Sequence, residues 1–404
     1  MRIGIISNLY PPHERGGAEL IARRVADEFA HRGYDVSVLT TQPYSGWESL
    51  VLRLQEKHIE RIYRFHPMNI FGIENIGKKP FLWRLLWHAI DAVSPGVRSV
   101  IRRFILEEQP DVIFTHNLKG IGLSIGQFIQ ETDVRHIHTL HDVQLTVPSG
   151  LLMWGHEYSF LNRSFLRRWY EALSKWAIGS PQAVISPSKF LLDLHTSRGF
   201  FSNMETHVIP NPAPPVTVPN RAEFRSGPLR FLFAGQLEEH KGILFLLHAL
   251  DAWAGTRPAP TNTFELHIAG DGSLRAEIED QCMRDDRLIF HGFVALDSML
   301  KLIAAVDAVI VPSLCYENSP TIIYESFAVG TPVIASRLGG IPELIVEGEN
   351  GCTFEPGNES SFLEALSHIT NDPNVCWAKA AQIREMAQMY ALKGYVDALE
   401  KMIE

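Results

Sequence analysis

Cysteine is scarce in this chain. Four occur among 404 residues (Cys282, Cys315, Cys352 and Cys376), none at CxxC spacing, which excludes a disulfide framework and a cysteine zinc cluster. Long hydrophobic runs are missing as well: nothing approaches the roughly 20 apolar residues of a membrane-spanning helix. The opening residues, Met1–Asn8, hold one basic group and an apolar run too short for a signal sequence. They are expected to form a first β-strand, and the chain is expected to be cytoplasmic. No low-complexity tract or short repeat occurs, so a solenoid is excluded. A G-x-G-x-x-G followed by an acidic residue about 20 positions on is lacking in both halves, which argues against an NAD-dependent oxidoreductase.

What is present is an ordinary globular composition. Hydrophobic residues make up 46% and charged residues 21%, enough apolar surface for large cores rather than disorder. At roughly 150 residues per domain, the length suggests two or three domains. The net charge of −9 argues against a nucleic-acid binder. That charge is unevenly spread: residues 1–210 hold 23 basic and 20 acidic groups, residues 211–404 hold 14 and 26.

Short β-branched runs alternate with amphipathic stretches. Arg2–Ser7, Asp35–Thr40, Val112–Thr115, Arg135–Leu140 and Ala183–Ile185 read as buried parallel strands, with helical spacing over Glu19–Arg32 and Val97–Gln109. After the proline-rich Pro210–Pro215 the pattern restarts, with strands at Leu229–Ala234, Phe264–Ala269, Leu288–His291, Ala308–Val311 and Pro332–Ala335. Two doubly wound α/β domains follow, 1–210 and 211–384, with a C-terminal helix over about 385–404 packing back on the first.

The densest signal lies at 312–347. Ser319-Pro320 predicts a helix start, Ser319 as the capping hydroxyl and Pro320 as the first helical residue. Glu317 then stands in the loop ahead of the helix and Glu325 about one and a half turns inside it. Free N–H groups at Ser319–Ile322 would attract an anion. An ionised carboxylate inside the helix can accept two hydrogen bonds from a ribose diol.

The E-x7-E spacing of Glu317 and Glu325, the following Gly330-Thr331-Pro332-Val333-Ile334-Ala335 and the Gly339-Gly340-Ile341-Pro342-Glu343 turn resemble the retaining nucleotide-sugar glycosyltransferases of family 4. Gly16-Gly17-Ala18-Glu19, Gly235-Gln236 with Lys241-Gly242, Gly270-Asp271-Gly272 and His291-Gly292-Phe293 agree with that resemblance in order and spacing. It implies the GT-B fold, two Rossmann-like domains facing across a cleft. By the same resemblance, Glu325 would bind the ribose and Glu317 the transferred sugar near its C3 and C4 hydroxyls. Asn318, Ser319, Pro320, Thr321 and Ile322 would hold the pyrophosphate or the sugar, largely through backbone N–H groups. Lys241 would neutralise the diphosphate leaving group. Gly16 and Gly17 would let backbone approach the diphosphate, Gly270 would line the donor site, and Phe293 and Val294 would lie near the base. Where the family usually carries arginine this chain has Gln236, a neutral amide in place of a fixed cationic fork. Lys241 would then carry more of the phosphate charge, with Arg337 or His240 as helpers.

Histidines crowd the first half. His136 and His138 share a strand face by period two, and a metal site is not expected there. His141-Asp142 matches the family's histidine at the edge of the donor sugar, where it would support an oxocarbenium-like transition state. His116-Asn117 would border the acceptor, with Asp142 on the same side. No D-x-D triplet occurs, and no metal or other cofactor is expected.

Residues 78–106 carry Lys78, Lys79, Arg84, Arg98, Arg102 and Arg103 against Asp91, interleaved with Phe81, Leu82, Trp83, Leu85, Leu86 and Trp87; residues 163–176 repeat the theme with Arg163, Arg167, Arg168, Lys175, Trp169 and Trp176. Basic residues with interfacial tryptophan suit an anionic membrane surface. The expected function is transfer of a sugar from a UDP- or GDP-linked donor to a lipid-linked or polysaccharide acceptor in bacterial surface polysaccharide synthesis, on the inner face of the membrane. The alternatives are a nucleotide-sugar-binding protein without transfer activity and a GT-B enzyme acting on a soluble small-molecule acceptor.

Overall fold

In the computed structural model, residues 1–13, 16–56, 60–157, 164–216, 227–255, 264–370 and 378–404 are described. Arg163 and Cys376 lie outside them. The chain forms two compact units. The first comprises Met1–Leu151, Tyr158–Pro210 and Leu392–Glu404; the second comprises Leu152–Glu157 and Asn211–Ala391.

The strands of the first unit are β1 (Arg2–Ile6), β2 (Asp35–Thr41), β3 (Arg53–Glu56), β4 (Arg61–Phe65), β5 (Val112–Thr115), β6 (Arg135–Thr139), β7 (Ala183–Ser186) and β8 (Glu205–Val208). They make one sheet in the order β3-β4-β2-β1-β5-β6-β7-β8, parallel except for the antiparallel β3–β4 pair. The helix Gly17–His31 packs on it through Ile21, Val25 and Phe29, in one core with Ile3, Ile5, Val38 and Phe114. Where one C-terminal helix was expected from about residue 385, the chain makes three elements: a helix Ala380–Ala387, a 3-10 turn Gln388–Tyr390 and a helix Leu392–Ile403. Only the last joins the core of the first unit, through Val396 and Leu399. Arg32 fastens it, donating to Asp397 at 2.7 Å and Glu400 at 2.7 Å. Ile383 and Ala387 belong instead to a core of the second unit.

The second unit has β9 (Leu229–Ala234), β10 (Phe264–Ala269), β11 (Leu288–Gly292), β12 (Ala308–Val311), β13 (Val333–Ser336) and β14 (Gly351–Phe354). All pairs are parallel, in the order β11-β10-β9-β12-β13-β14. Alternation sorts their side chains to two faces. Phe231, Phe233, Ala308 and Ile310 enter one core, Leu232, Val309 and Val311 the other, as period two demands of a sheet covered on both sides. Counting from β9, the order reads 3-2-1-4-5-6, that of a dinucleotide-binding α/β sheet. Such sheets bind ligands beyond the carboxyl ends of their strands, where the order reverses. In the first unit that point lies between β1 and β5; in the second, between β9 and β12.

Candidate active site

The loops at the second unit's reversal point hold the residues the sequence singles out. Gly235, Gln236 and Lys241 follow β9, and Ser313 and Glu317 follow β12. Lys241 Nζ donates to Glu317 Oε1 at 2.5 Å, and Ser313 Oγ donates to the same oxygen at 2.9 Å. Both partners are partly buried, with 24% and 15% of their side chains exposed. Burial alone would raise the Glu317 carboxyl, but the charge and hydrogen bond of Lys241 and the hydroxyl of Ser313 outweigh it and hold the group below the usual range. Burial likewise opposes the Lys241 charge, and Glu317 raises it above its ordinary value. The pair is therefore charged at neutral pH, and its bonds fall on Oε1.

Glycine permits this mounting at two places. Gly242 has φ +75°, and a Cβ there would meet Pro312 O at 1.9 Å. Gly339 has φ +66°, and its Cβ would meet Glu317 O at 2.0 Å. The backbones of the lysine loop and of the 339 turn thus approach the glutamate loop more closely than any side chain allows. Gly340 N donates to Glu317 O at 2.8 Å.

The helix that carries Glu325 runs Thr321–Val329, one residue later than Ser319-Pro320 predicts, with Pro320 as its cap. Ser319 does not cap it. Its hydroxyl bonds the Tyr324 hydroxyl at 2.5 Å, while its carbonyl accepts from Asn211 Nδ2 at 3.2 Å. Glu325 is therefore about one turn inside the helix, not one and a half, and it is 7% exposed.

The helpers proposed for Lys241 are otherwise engaged. Arg337 Nε donates to Thr353 Oγ1 at 2.9 Å, and its guanidinium lies 3.9 Å from Glu347 and 3.8 Å from Glu355. His240 is lowered by burial and by Lys241 itself, so it stays neutral. Gln236 is exposed, and so is Phe293. Val294 is partly buried against the core. Gly270 N donates to Gly292 O at 2.8 Å, joining the ends of β10 and β11.

In the first unit, Gly16 and Gly17 open the helix after β1, and Glu19 bends back to accept from Gly16 N at 3.0 Å. His116 follows β5 directly and His141 follows β6. Their rings stack, and His116 Nδ1 lies 3.0 Å from His141 Nε2. Burial, then His141, lowers His116 well below its usual value; burial lowers His141 to about 4. Both are neutral at pH 7. His136 Nε2 and His138 Nδ1 each lie 2.8 Å from Thr115 Oγ1, as satisfied core histidines. Asn117 Oδ1 accepts from Gln144 Nε2 at 2.7 Å, and Asp142 Oδ1 accepts from Gln144 N at 2.7 Å.

Two family profiles match consecutive parts of the chain: Glycosyltransferase Family 4 over residues 15–215 and Glycosyl transferases group 1 over residues 228–372. The chain belongs to the family 4 type of glycosyltransferase. An uncharacterised 42.6 kDa protein of the cps region of Klebsiella pneumoniae is 24% identical over 85% of this chain and 87% of its own. Sucrose-phosphate synthase from Thermosynechococcus elongatus has the same fold, with a TM-score of 0.74 at 19% identity over 100% of this chain and 98% of that one. So has Anabaena HepE, solved with UDP and glucose, with a TM-score of 0.69 at 20% identity over 100% and 99%. These similarities show the fold to be GT-B.

Two residues of this glycosyltransferase's site regions carry no signal in the sequence. Ser313 reaches Glu317 only because β12 ends in a tight loop. Lys119 sits between Asp91 and Asp142, and its Nζ donates to Ser149 O at 3.2 Å. A Lys-Gly after a strand looks like any surface turn.

Proposed function

We propose that this glycosyltransferase moves a sugar from a nucleotide-diphospho-sugar to a hydroxyl of a lipid-linked or polysaccharide glycan, with retention at the anomeric carbon and without a metal. The Lys241–Glu317 pair at the reversal point of the donor-side sheet carries this reading. Lys241 stabilises charge on the departing diphosphate, the electrostatic contribution that transfer most needs. Glu317 keeps Oε1 on Lys241 and Ser313 and offers Oε2 to sugar hydroxyls. Glu325 takes the ribose diol, and the N–H groups of Thr321 and Ile322 face the phosphates. His141, neutral and tied to His116, supports positive charge on the sugar ring. The acceptor attacks on the face the leaving group quits, and the departing phosphate oxygen takes its proton. HepE, solved with UDP and glucose, favours UDP as the nucleotide, and the cps-region relative favours surface polysaccharide as the product.

Calorimetric titration of UDP, GDP and ADP in EDTA tests the reading. One nucleotide is expected to bind in EDTA, with affinity falling about 100-fold in Glu325→Ala through loss of charge-assisted hydrogen bonds. Binding that appears only on adding manganese or magnesium sinks the metal-free part. Equal affinity in the variant removes Glu325 from the ribose.

The acceptor side fits a peripheral position on an anionic membrane. Among the described residues no helix is long and apolar enough to cross one. The helices Phe81–Val93 and Phe165–Ile178 are in contact and expose Leu82, Trp83, Leu86, Phe165, Trp169 and Trp176. The basic residues contribute less than their number suggests. Arg98 pairs with Glu131, Arg103 with Glu107, and Lys175 donates to Arg198 O. Apolar insertion should therefore dominate over charge. Leu82→Glu with Trp83→Glu is expected to reduce co-sedimentation with phosphatidylglycerol vesicles by about 10-fold or more, since each inserted side chain is worth about 1.5–3 kcal/mol. Wild-type protein that stays in the supernatant at low salt defeats the membrane assignment.

A further inference from the structure

Residues 152–157 interrupt the first unit. The chain before them, through Leu151, belongs to that unit, yet Leu152–Glu157 belongs to the second. There the segment pairs with Leu314–Tyr316, the residues immediately before Glu317. Trp154 N donates to Leu314 O at 3.0 Å, and Tyr316 N donates to Leu152 O at 2.8 Å. Met153 stands opposite Cys315 in an antiparallel bridge. Side chains close the same contact. Tyr316 Oη donates to Glu157 Oε1 at 2.9 Å, Gly155 N donates to that oxygen at 2.8 Å, and the Trp154 and Tyr316 rings lie 6.3 Å apart. Burial raises the Glu157 carboxyl, but hydrogen bonds from its own backbone N–H, Tyr316 and Gly155 together prevail and hold it below its usual range.

The other edge of the same stretch meets the lysine loop, where Leu314 N donates to His240 O at 2.8 Å. Residues 314–316 are thus a short stretch held between Lys241's loop and a segment borrowed from the first half of the chain. We propose that Leu152–Glu157 is a strap that positions Glu317, with Tyr316 and Glu157 as its positioning residues. Without the strap, the Leu314 carbonyl and the Tyr316 amide lose their partners, and a loop with unpaired backbone groups does not hold one geometry. Glu317 would keep its bond to Lys241, but the shared mount of the pair would loosen. Cys315, 2% exposed, also donates its thiol to Glu317 Oε1, at 3.9 Å, and burial pushes that thiol up to about 12. The strap also explains Trp154 and Tyr316, aromatic residues with no place in a nucleotide site.

The proposal rests on the reading that Glu317 serves the donor sugar, so its test needs one readout independent of reaction. Amide hydrogen exchange at residues 314–318 supplies it. Tyr316→Phe and Glu157→Ala should speed exchange there about 10-fold, as loss of one partly buried hydrogen bond predicts. Glu157→Gln, which keeps an acceptor oxygen, should stay close to wild type. With UDP-glucose as the probe donor, kcat/KM for transfer or hydrolysis should fall about 10-fold in the first two variants. UDP affinity, carried mainly by Glu325, should fall far less than kcat/KM. Unchanged exchange in both variants overturns the strap, and so does full activity in a variant whose loop exchanges faster. Wild-type protein that neither binds UDP nor uses UDP-glucose would count against the donor reading alone, because the exchange result still decides the strap.

Discussion

Replacing Lys241 with alanine is expected to lower kcat/KM by about three orders of magnitude, the loss typical of removing one preorganised donor from a developing charge. Two effects add in that variant. On the proposed reading the diphosphate loses its cation, and neither Arg337, bonded to Thr353 and flanked by Glu347 and Glu355, nor neutral His240 stands ready to replace it. Glu317 also loses the charge that keeps it ionised against burial, so its carboxyl should titrate upward. The pH profile of Lys241→Ala should accordingly gain an ionisation above the ordinary carboxylate range that wild type lacks. Lys241→Arg keeps the charge and should recover part of the rate without that ionisation. In a double-mutant cycle with Glu317→Gln the losses should fall short of additivity, because contacting residues usually couple by about 0.5–3 kcal/mol. Additive losses, or a profile unchanged from wild type, would show that the pair does not work as one unit.

The parts of this site legible in sequence are those fixed by local chemistry. β1 and β12 are short apolar runs because a parallel strand covered on both faces has no polar side. The glutamates at 317 and 325 stand out because a loop and a helix start lie between them. Edge strands escape such reading. β3 (Arg53–Glu56) and β8 (Glu205–Val208) are short and mostly polar, like loops, and only pairing with a neighbour makes them strands. Ser319-Pro320 misled for a different reason. Its hydroxyl had a local use as a cap, but Tyr324, five residues on, offers a buried hydroxyl as partner instead. The strap lay further out of reach. Trp154 and Glu157 carry no periodicity, and their partners Leu314 and Tyr316 stand about 160 residues away. Arg337 shows the same limit from the other side. Its position in a site loop was legible, whereas its approach to two acids before and after β14 was not.

Acidification should unfold the first unit at a pH where most carboxylates are still ionised. His116, His136, His138 and His195 are at most 3% exposed. Burial lowers His136 to about 3 and His195 to about 4, and lowers His116 and His138 well below their ordinary value of 6.5. Hydrogen bonding agrees with that direction. His195 Nδ1 donates to Leu191 O at 2.9 Å, so its Nε2 is an acceptor, and neither that atom nor His116 Nε2 has a partner among the described residues. A second proton would create a buried donor with nothing to bond. The sign follows from proton counting. Between pH 6.5 and about 4 the unfolded chain binds protons that the folded unit refuses, so stability is complete above pH 6.5 and lost as pH falls. At pH 5 each such histidine removes about 2 kcal/mol, from 1.36 kcal/mol per pH unit below 6.5. Against a domain stability of about 5–15 kcal/mol, three or four of them are decisive. Calorimetry from pH 7.5 to 5 should show a steep fall in Tm, and amide exchange should place the loss in β5, β6 and the helix Lys189–Ser197 before the second unit. His195→Gln should flatten the slope by about one proton's share whatever it does to Tm at pH 7.5. A Tm independent of pH across this range would mean that these rings accept protons without unfolding, and that the buried histidine layer under His141 is open to water.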